Sequence, residues 1–309
     1  MITAIGMIKN AADIIETFIR CNSMVCDNFV LLDNMSDDNT PVILQKLIEE
    51  GFRIEVIPDK ESAYKQQEKM MMLLDYVMEH YESDFIIPLD DDEIITSDTD
   101  MDVKEYIESL DRDKLHFYLW RNYVPTEEDD PSEICVPKRL NFCYGSKMKT
   151  FPKVILSRRV VEKDHPILQM GNHNVDGTDA EKVILYNLHL AHYPCRSEAQ
   201  IASKALVGWT NLLALPNRRE CDGFHWRKAY DIVKNNGKID IDLQWEICGM
   251  YMLSLDNLEL EYRPLLLPDK CFELKYTGPN EIDPMRNYMN NVESLAQKYA
   301  DLSGGDRPV

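Results

Sequence analysis

Over the first ninety residues, short apolar runs alternate with stretches whose apolar residues recur every three to four positions. Short apolar runs bounded by polar residues predict buried strands at 1–8, 28–34, 52–58 and 84–89. Between them, Asn10 is placed to cap a helix whose Ile14, Ile15, Phe18 and Ile19 share one face. A second helix is expected from Thr40 as N-cap, with Pro41 at its first position, to Gly51 at its end. Val42, Ile43, Leu44, Leu47 and Ile48 form its buried stripe, and a third, Met-rich helix covers 62–81. Strands alternating with amphipathic helices imply an α/β fold with a mostly parallel, doubly wound sheet.

The second half is less regular. Strands are expected at 115–120, 153–159 and 182–193, with a loop-like stretch over 121–150. From Ser197 the pattern turns helical, with breaks at Pro216 and around Gly223 and Gly237. A last helix is expected at 283–302, followed by a frayed end, so the sheet carries a helical C-terminal extension.

Composition narrows the chemistry. The chain has 309 residues, of which 44% are hydrophobic, enough for one large α/β domain or two smaller ones. Acids number 54 against 34 bases, a formal charge of −20, which argues against nucleic acid or an anionic bilayer as a standing partner. The eight cysteines form no CxxC pair, and "MITAIGMIKN" has neither a basic lead nor a cleavage site. Reduced thiols in a cytoplasmic protein are the expectation, and no run is long enough for a membrane span.

The main chemical signal is "IIPLDDDEII" at 86–95, where an apolar run delivers four adjacent acids. Ligands of doubly wound sheets bind beyond the carboxyl ends of the strands, so Asp33 and Asp90 are expected to share a crevice. If the acidic run is extended, Asp90 and Asp92 point together into it and Asp91 points away. Such hard oxygen ligands suit Mg²⁺ or Mn²⁺ completed by substrate phosphates.

"GMIKNAADII", "VLLDNMSDDNT" and "FIIPLDDDEI", in this order, resemble glycosyltransferase family 2, which has the GT-A fold. The similarity extends to the branch with "LDxDE" and a later "HYPxRSxxQ", here "HYPCRSEAQ" at 192–200, and covers roughly residues 1–210. It implies a nucleotide-sugar-binding half at 1–120, an acceptor-binding half at 121–215 and a C-terminal helical extension at 216–309. It further implies a metal-dependent transfer, commonly inverting, from a nucleoside-diphosphate-sugar such as a UDP-sugar to a hydroxyl of a glycan or glycolipid. A lipid-linked acceptor would bring the enzyme transiently to the inner face of the membrane.

By that resemblance Asp33 would contact the base or ribose, Asp90 would lie near the ribose, and Asp92 would bind the metal. Lys9 and Asn10 would touch the nucleotide, and His192 would join the metal shell. Arg196 would clamp the diphosphate or pair with a surface acid. Lys153, pointing inward from a basic cluster with Lys147, Lys149, Arg158 and Arg159, is expected to bind the nucleotide-sugar, the cluster facing the diphosphate or an anionic acceptor; otherwise it reads as a charged strand edge. Gln66, Gln67 or Lys69 is placed to reach phosphates. An inverting transfer needs a general base, with Asp176, Asp179, His173 and Asp222 as candidates. Tyr118, Trp120 and Tyr123 read either as sugar-stacking or as core residues. A sugar-phosphate nucleotidyltransferase would show a Gly-rich loop after the first strand, where "GMIKNAA" has one glycine; a dinucleotide-dependent oxidoreductase would show GxGxxG. A non-catalytic carbohydrate-binding protein would need neither Asp92 nor a metal.

Overall fold

The computed structural model describes residues 1–145, 150–215, 218–219, 222–253, 259–279 and 281–303. The opening apolar run forms β1 (Ile2–Ile8). It is followed by α1 (Ile15–Asn22), β2 (Asn28–Asp33), α2 (Thr40–Glu50), β3 (Ile54–Pro58), α3 (Gln66–His80) and β4 (Phe85–Pro88). These strands pair in parallel in the order β4-β1-β2-β3. Alternation along β1 sends Ile2, Ala4 and Ile8 to one face, where Phe18 of α1 and Ile43 and Leu47 of α2 cover them. Ile5 faces the other way, under Met70, Leu73 and Val77 of α3. The first half is therefore doubly wound, as its pattern predicts, and each fully buried Ile, Leu or Phe contributes about 1.5–3 kcal/mol.

After a turn at the acids come β5 (Glu93–Ser97), α4 (Val103–Glu108), β6 (Leu115–Val124), α5 (Val136–Arg139), β7 (Phe142–Tyr144) and β8 (Pro152–Ser157). Then follow α6 (Arg158–Asp164), a short ribbon of β9 (Ile167–Leu168) and β10 (Val175–Asp176), and β11 (Lys182–His192). The chain closes with α7 (Glu198–Leu213), α8 (Phe224–Asn236), α9 (Ile241–Gly249), β12 (Leu260–Tyr262) and α10 (Pro284–Ser303). Beyond β4 the ladder is mixed. β8 runs antiparallel to β4 and β6, whereas β11 runs parallel to β6 and carries β5 antiparallel on its far edge. Among the described residues, no helix is long and apolar enough to cross a membrane.

Several expectations need correction. Asn10 does not cap α1: it sits at φ 53°, a turn follows, and Ile14 is the N-cap. Asn39, not Thr40, precedes α2, and the Thr40 hydroxyl instead accepts the Ala11 N–H at 2.8 Å. Val42 is 52% exposed, because the inward arc of α2 is set by Ile43, Leu44 and Leu47. Arg158 and Arg159 open α6 rather than continuing a strand, since Ser157 Oγ accepts the Val160 N–H and caps a helix there. The stretch 121–150 holds the end of β6 together with α5 and β7, and β6 runs through residue 120. Lys147, Lys149, Pro216 and residues 304–309 lie outside the described residues.

The C-terminal segment is bound to the first helix by a buried charge. Glu16 of α1 is fully buried and accepts the backbone N–H groups of Lys275, Tyr276 and Thr277 at 2.8, 2.9 and 2.7 Å, with Arg20 Nε at 2.9 Å. Burial pushes this carboxyl up, but the three backbone donors and Arg20 outweigh it and hold it below its ordinary value. The stabilisation is therefore fully present at neutral pH and is lost as pH falls through the folded-state value. Glu16→Ala strands these donors and should lower the unfolding free energy by about 2–4 kcal/mol in urea titration. Glu16→Gln should flatten the acid limb of the stability–pH profile, measured by the same titration between neutral and acid pH.

Candidate functional site

The site begins with a glycine. A Cβ on Gly6 would lie 2.4 Å from the Leu89 carbonyl oxygen, so only glycine lets β1 approach the end of β4 this closely. Leu89 N donates to Ile5 O at 2.9 Å, and Glu93 N then donates back to Asp90 O at 3.1 Å. The acids therefore lie in a tight turn rather than an extended segment. Asp90, Asp91 and Asp92 all line one cavity of about 760 Å³ beyond the strand ends, so Asp91 does not point away. Burial and the adjacent Asp92 push the Asp91 carboxyl up to about 7.

Beneath the turn lies a buried ion cluster. Lys153 on β8 is fully buried and reaches Asp90 at 2.7 Å and Glu93 at 2.9 Å. Trp120 Nε1 donates to Glu93 Oε1 at 2.6 Å, and the Asp90 N–H donates to Glu93 Oε2 at 2.8 Å. Burial raises the Glu93 carboxyl and Lys153 opposes it, while the Lys153 ammonium is held protonated by Asp90 and Glu93 against its own burial. Lys153 thus points inward as expected, but it is not on the cavity wall: it neutralises the turn from below.

On the cavity side, register sets the geometry. Antiparallel pairing places His192 opposite Glu93, and parallel pairing places it opposite Asn122. Asn122 Nδ2 donates to the Tyr251 carbonyl at 3.0 Å, which turns its Oδ1 to His192 Nδ1 at 2.6 Å. The Nδ1 of His192 therefore carries the proton. Burial brings its pKa down to about 3, so the ring is neutral, and it stacks on Trp120 with centroids 4.1 Å apart. Its Nε2 lone pair faces Asp92 Oδ1 at 3.6 Å, with no proton between the two acceptors. The other oxygen of Asp92 is 2.7 Å from Lys204 Nζ and 3.5 Å from Arg196 Nη1. Burial would raise the Asp92 carboxyl, but Lys204 and Arg196 hold it below the usual carboxylate range. Arg196 is itself fixed by Asp13 through two bonds of 2.7 and 3.0 Å.

Two lone-pair donors facing each other across 3.6 Å suit a divalent cation. An oriented imidazole whose other nitrogen is hydrogen-bonded is the usual arrangement of a metal-ligating histidine. Among the described residues no group of three His, Cys, Asp or Glu side chains is placed to hold a metal. The protein thus offers two donors, which is sufficient for an ion whose shell is completed by substrate phosphates.

Of the other sequence candidates, Lys9, Asn10, His173 and Asp222 also line the cavity. Lys9 Nζ donates to Asn34 O at 2.7 Å, and burial lowers its pKa. His173 receives its orientation from Pro152 O, 2.9 Å from Nδ1, which leaves Nε2 as an acceptor; burial lowers its pKa to about 4. Several candidates lie off the wall, among them Lys69, which pairs with Asp59 at 2.6 Å. Asp33 turns back to accept Ser36 N and Oγ at 3.1 and 2.6 Å, and the adjacent Asn34 lines the cavity instead. Gln67 donates to Leu168 O at 2.9 Å, one position out of phase with Gln66, which does line the cavity. Asp176 is exposed at the end of β10 and accepts Gln169 Nε2, and Asp179 is also exposed, in the loop that follows the ribbon. Tyr118 and Tyr123 are core residues, whereas Trp120 lines the cavity. Sequence reasoning missed Lys204, four positions after Gln200 on the same face of α7, and the aromatic lining of Tyr64, His225, Trp226 and Tyr251. The i, i+4 spacing of Gln200 and Lys204 after "HYPCRS" was the available signal for Lys204.

No family model matches the chain, and no curated protein matches it in sequence. Solved structures align distantly. S. aureus TarS 1–349 in complex with UDP aligns with a TM-score of 0.39 and 11% identity over 70% of this chain and 66% of that one, so the chain spans just under two thirds of its length. Mannosyltransferase PcManGT from Pyrobaculum calidifontis, in complex with GDP-Man and Mn²⁺, gives 0.38 and 9% over 97% and 75%. The inositol-1-phosphate CTP transferase of T. maritima gives 0.33 and 11% over 68% and 95%. These likenesses are too distant to transfer an activity to this chain.

Removing Lys153 leaves Glu93 without a cation in the interior and Asp90 without one at the cavity wall. Lys153→Met should cost about 3–5 kcal/mol in chemical denaturation. Restoring the balance with Glu93→Gln in the same chain should recover part of that loss.

Proposed function

We propose that the chain is a divalent-metal-dependent glycosyltransferase of the GT-A type. It would move a sugar from a nucleoside-diphosphate donor, of which a UDP-sugar is the leading case, to a hydroxyl of a glycan or glycolipid. The observation that carries this reading is the neutral His192 Nε2 facing Asp92 Oδ1 at 3.6 Å, in the wall of a cavity beyond the strand ends. Asp92 and His192 would hold the cation. When bound, it supplies positive charge to the diphosphate that departs.

The chain's own residues do the rest. Lys9, Asn10, Asn34 and Asp90 line the strand-end side of the cavity and form the donor wall. Arg196 is held rigid by Asp13 and orients Asp92. Tyr64 and Trp226, in an edge-to-face contact with centroids 4.9 Å apart, line the cavity with His225 and Tyr251, the last 5.5 Å from the His192 ring, and a sugar acceptor finds ring faces to stack on there. The acceptor hydroxyl oxygen bonds to the anomeric carbon as the bond from that carbon to the phosphate oxygen breaks, and the electron pair leaves with the nucleoside diphosphate. Direct displacement inverts the anomeric centre.

His173 Nε2 is our choice for the group that takes the hydroxyl proton, because Nδ1 is occupied by Pro152 O and the ring lines the cavity. Asp176 and Asp179 would need the ribbon to reorganise before they could reach the acceptor.

The test is a thermal-shift and donor-hydrolysis screen over UDP-, GDP- and TDP-sugars with and without Mn²⁺. We expect stabilisation by the nucleotide that requires Mn²⁺ and is lost in Asp92→Asn, with release of a nucleoside diphosphate. Release of pyrophosphate from a nucleoside triphosphate and a sugar phosphate would replace this reading with nucleotidyl transfer. With the substrate found, His173→Gln should lower kcat by about 10²–10⁴ with little change in donor KM. Protonation of His173, with its pKa near 4, should set an acid limb there in the wild type.

A further inference from the structure

Two cations stand at Asp92, and they are held very differently. Arg196 is bound by both oxygens of Asp13 and donates to the Tyr193 carbonyl at 3.1 Å. Lys204 reaches across from α7, and Asp92 Oδ2 at 2.7 Å is its hydrogen-bond and ion-pair partner. Its side chain is 33% exposed at the cavity wall. A buried carboxylate without a counter-charge is costly, so Asp92 needs a nearby cation in any state of the protein. A divalent ion on Asp92 and an ammonium 2.7 Å from the same carboxylate repel strongly. The metal would take Oδ1 and the ammonium sits on Oδ2, so each weakens the other's hold, and the flexible four-carbon stem of lysine can move away where the clamped guanidinium of Arg196 cannot.

We infer that Lys204 is a placeholder for the divalent cation: it neutralises Asp92 while the metal is absent, competes with the metal for that carboxylate, and moves to the diphosphate oxygens when donor and metal bind. The inference rests on the metal-dependent reading above. It gives Lys204 a positioning role that couples two ligands. The diphosphate offers the ammonium another anion and so releases Asp92 to the metal; by linkage, the metal releases Lys204 to the diphosphate.

The test is Mn²⁺ titration of the full chain followed by electron paramagnetic resonance, in wild type, Lys204→Met, Lys204→Gln and Asp92→Asn, first alone and then with UDP or GDP. Without nucleotide, Lys204→Met and Lys204→Gln should bind Mn²⁺ roughly tenfold more tightly than wild type. Asp92→Asn should abolish that binding. The increase in Mn²⁺ affinity caused by the nucleotide should be smaller in both Lys204 variants than in wild type. A residue with only a structural role would weaken metal binding when removed, not tighten it. Circular dichroism identifies a variant that fails to fold, and the other then decides. If wild type binds Mn²⁺ with nucleotide but neither Lys204 variant binds it more tightly alone, the placeholder is overturned and the metal-dependent reading stands. If no protein binds Mn²⁺ even with nucleotide, both fall together.

Discussion

Four carboxylates in a row can be packed at the end of a buried strand only if cations meet them from more than one side. Here compensation is layered. Lys153 lies below the turn and pairs with Asp90 and Glu93, while Arg196 and Lys204 approach Asp92 from the cavity side. Without the lower layer, Glu93 would be a buried charge with only Trp120 and a backbone N–H for company. The rest of the site follows from this balance, because a turn fixed from below presents its three aspartates in one orientation.

The second constraint is register. Asn122, His192 and Glu93 lie side by side on β6, β11 and β5, so one set of backbone ladders fixes a histidine tautomer and the acid it faces. A slip of one residue in β11 would put Ala191 or Tyr193 where His192 stands. The irregularity in the β6–β11 ladder between Ile184 and His189 lies upstream of this row and leaves its pairing intact.

The parallel half of the fold was readable because its signals are local. Apolar runs, helix periodicity and Gly51, at φ 109°, depend on neighbours in sequence. The placement of Asp92, His192 and Arg196 around one cavity was also legible, through the short stretches that carry them. What could not be read depends on distant partners. Asp33 and Gln67 sit one residue from Asn34 and Gln66, which line the cavity, and that choice of phase is made by the Ser36 turn and by the ribbon that meets α3. The inward course of Lys153 was legible, but its partner Glu93 was not, because the acidic run reads as extended until the Asp90–Glu93 turn is seen. β5, β7 and β12 are too short to show a period: β5 and β7 form on the edges of the longer β11 and β6, and β12 then pairs with β7.

The clasp between Glu16 and residues 275–277 spans about 260 positions of chain. A ribosome delivers the acceptor about 260 residues before the three donors. Until they emerge, the first helix carries a carboxylate oriented toward a segment that does not yet exist. The N-terminal sheet can therefore gather its apolar layers during synthesis, but the polar seam over α1 closes only once residues 275–277 have emerged. A truncation ahead of residue 270 would leave the Glu16 carboxylate without its three backbone donors.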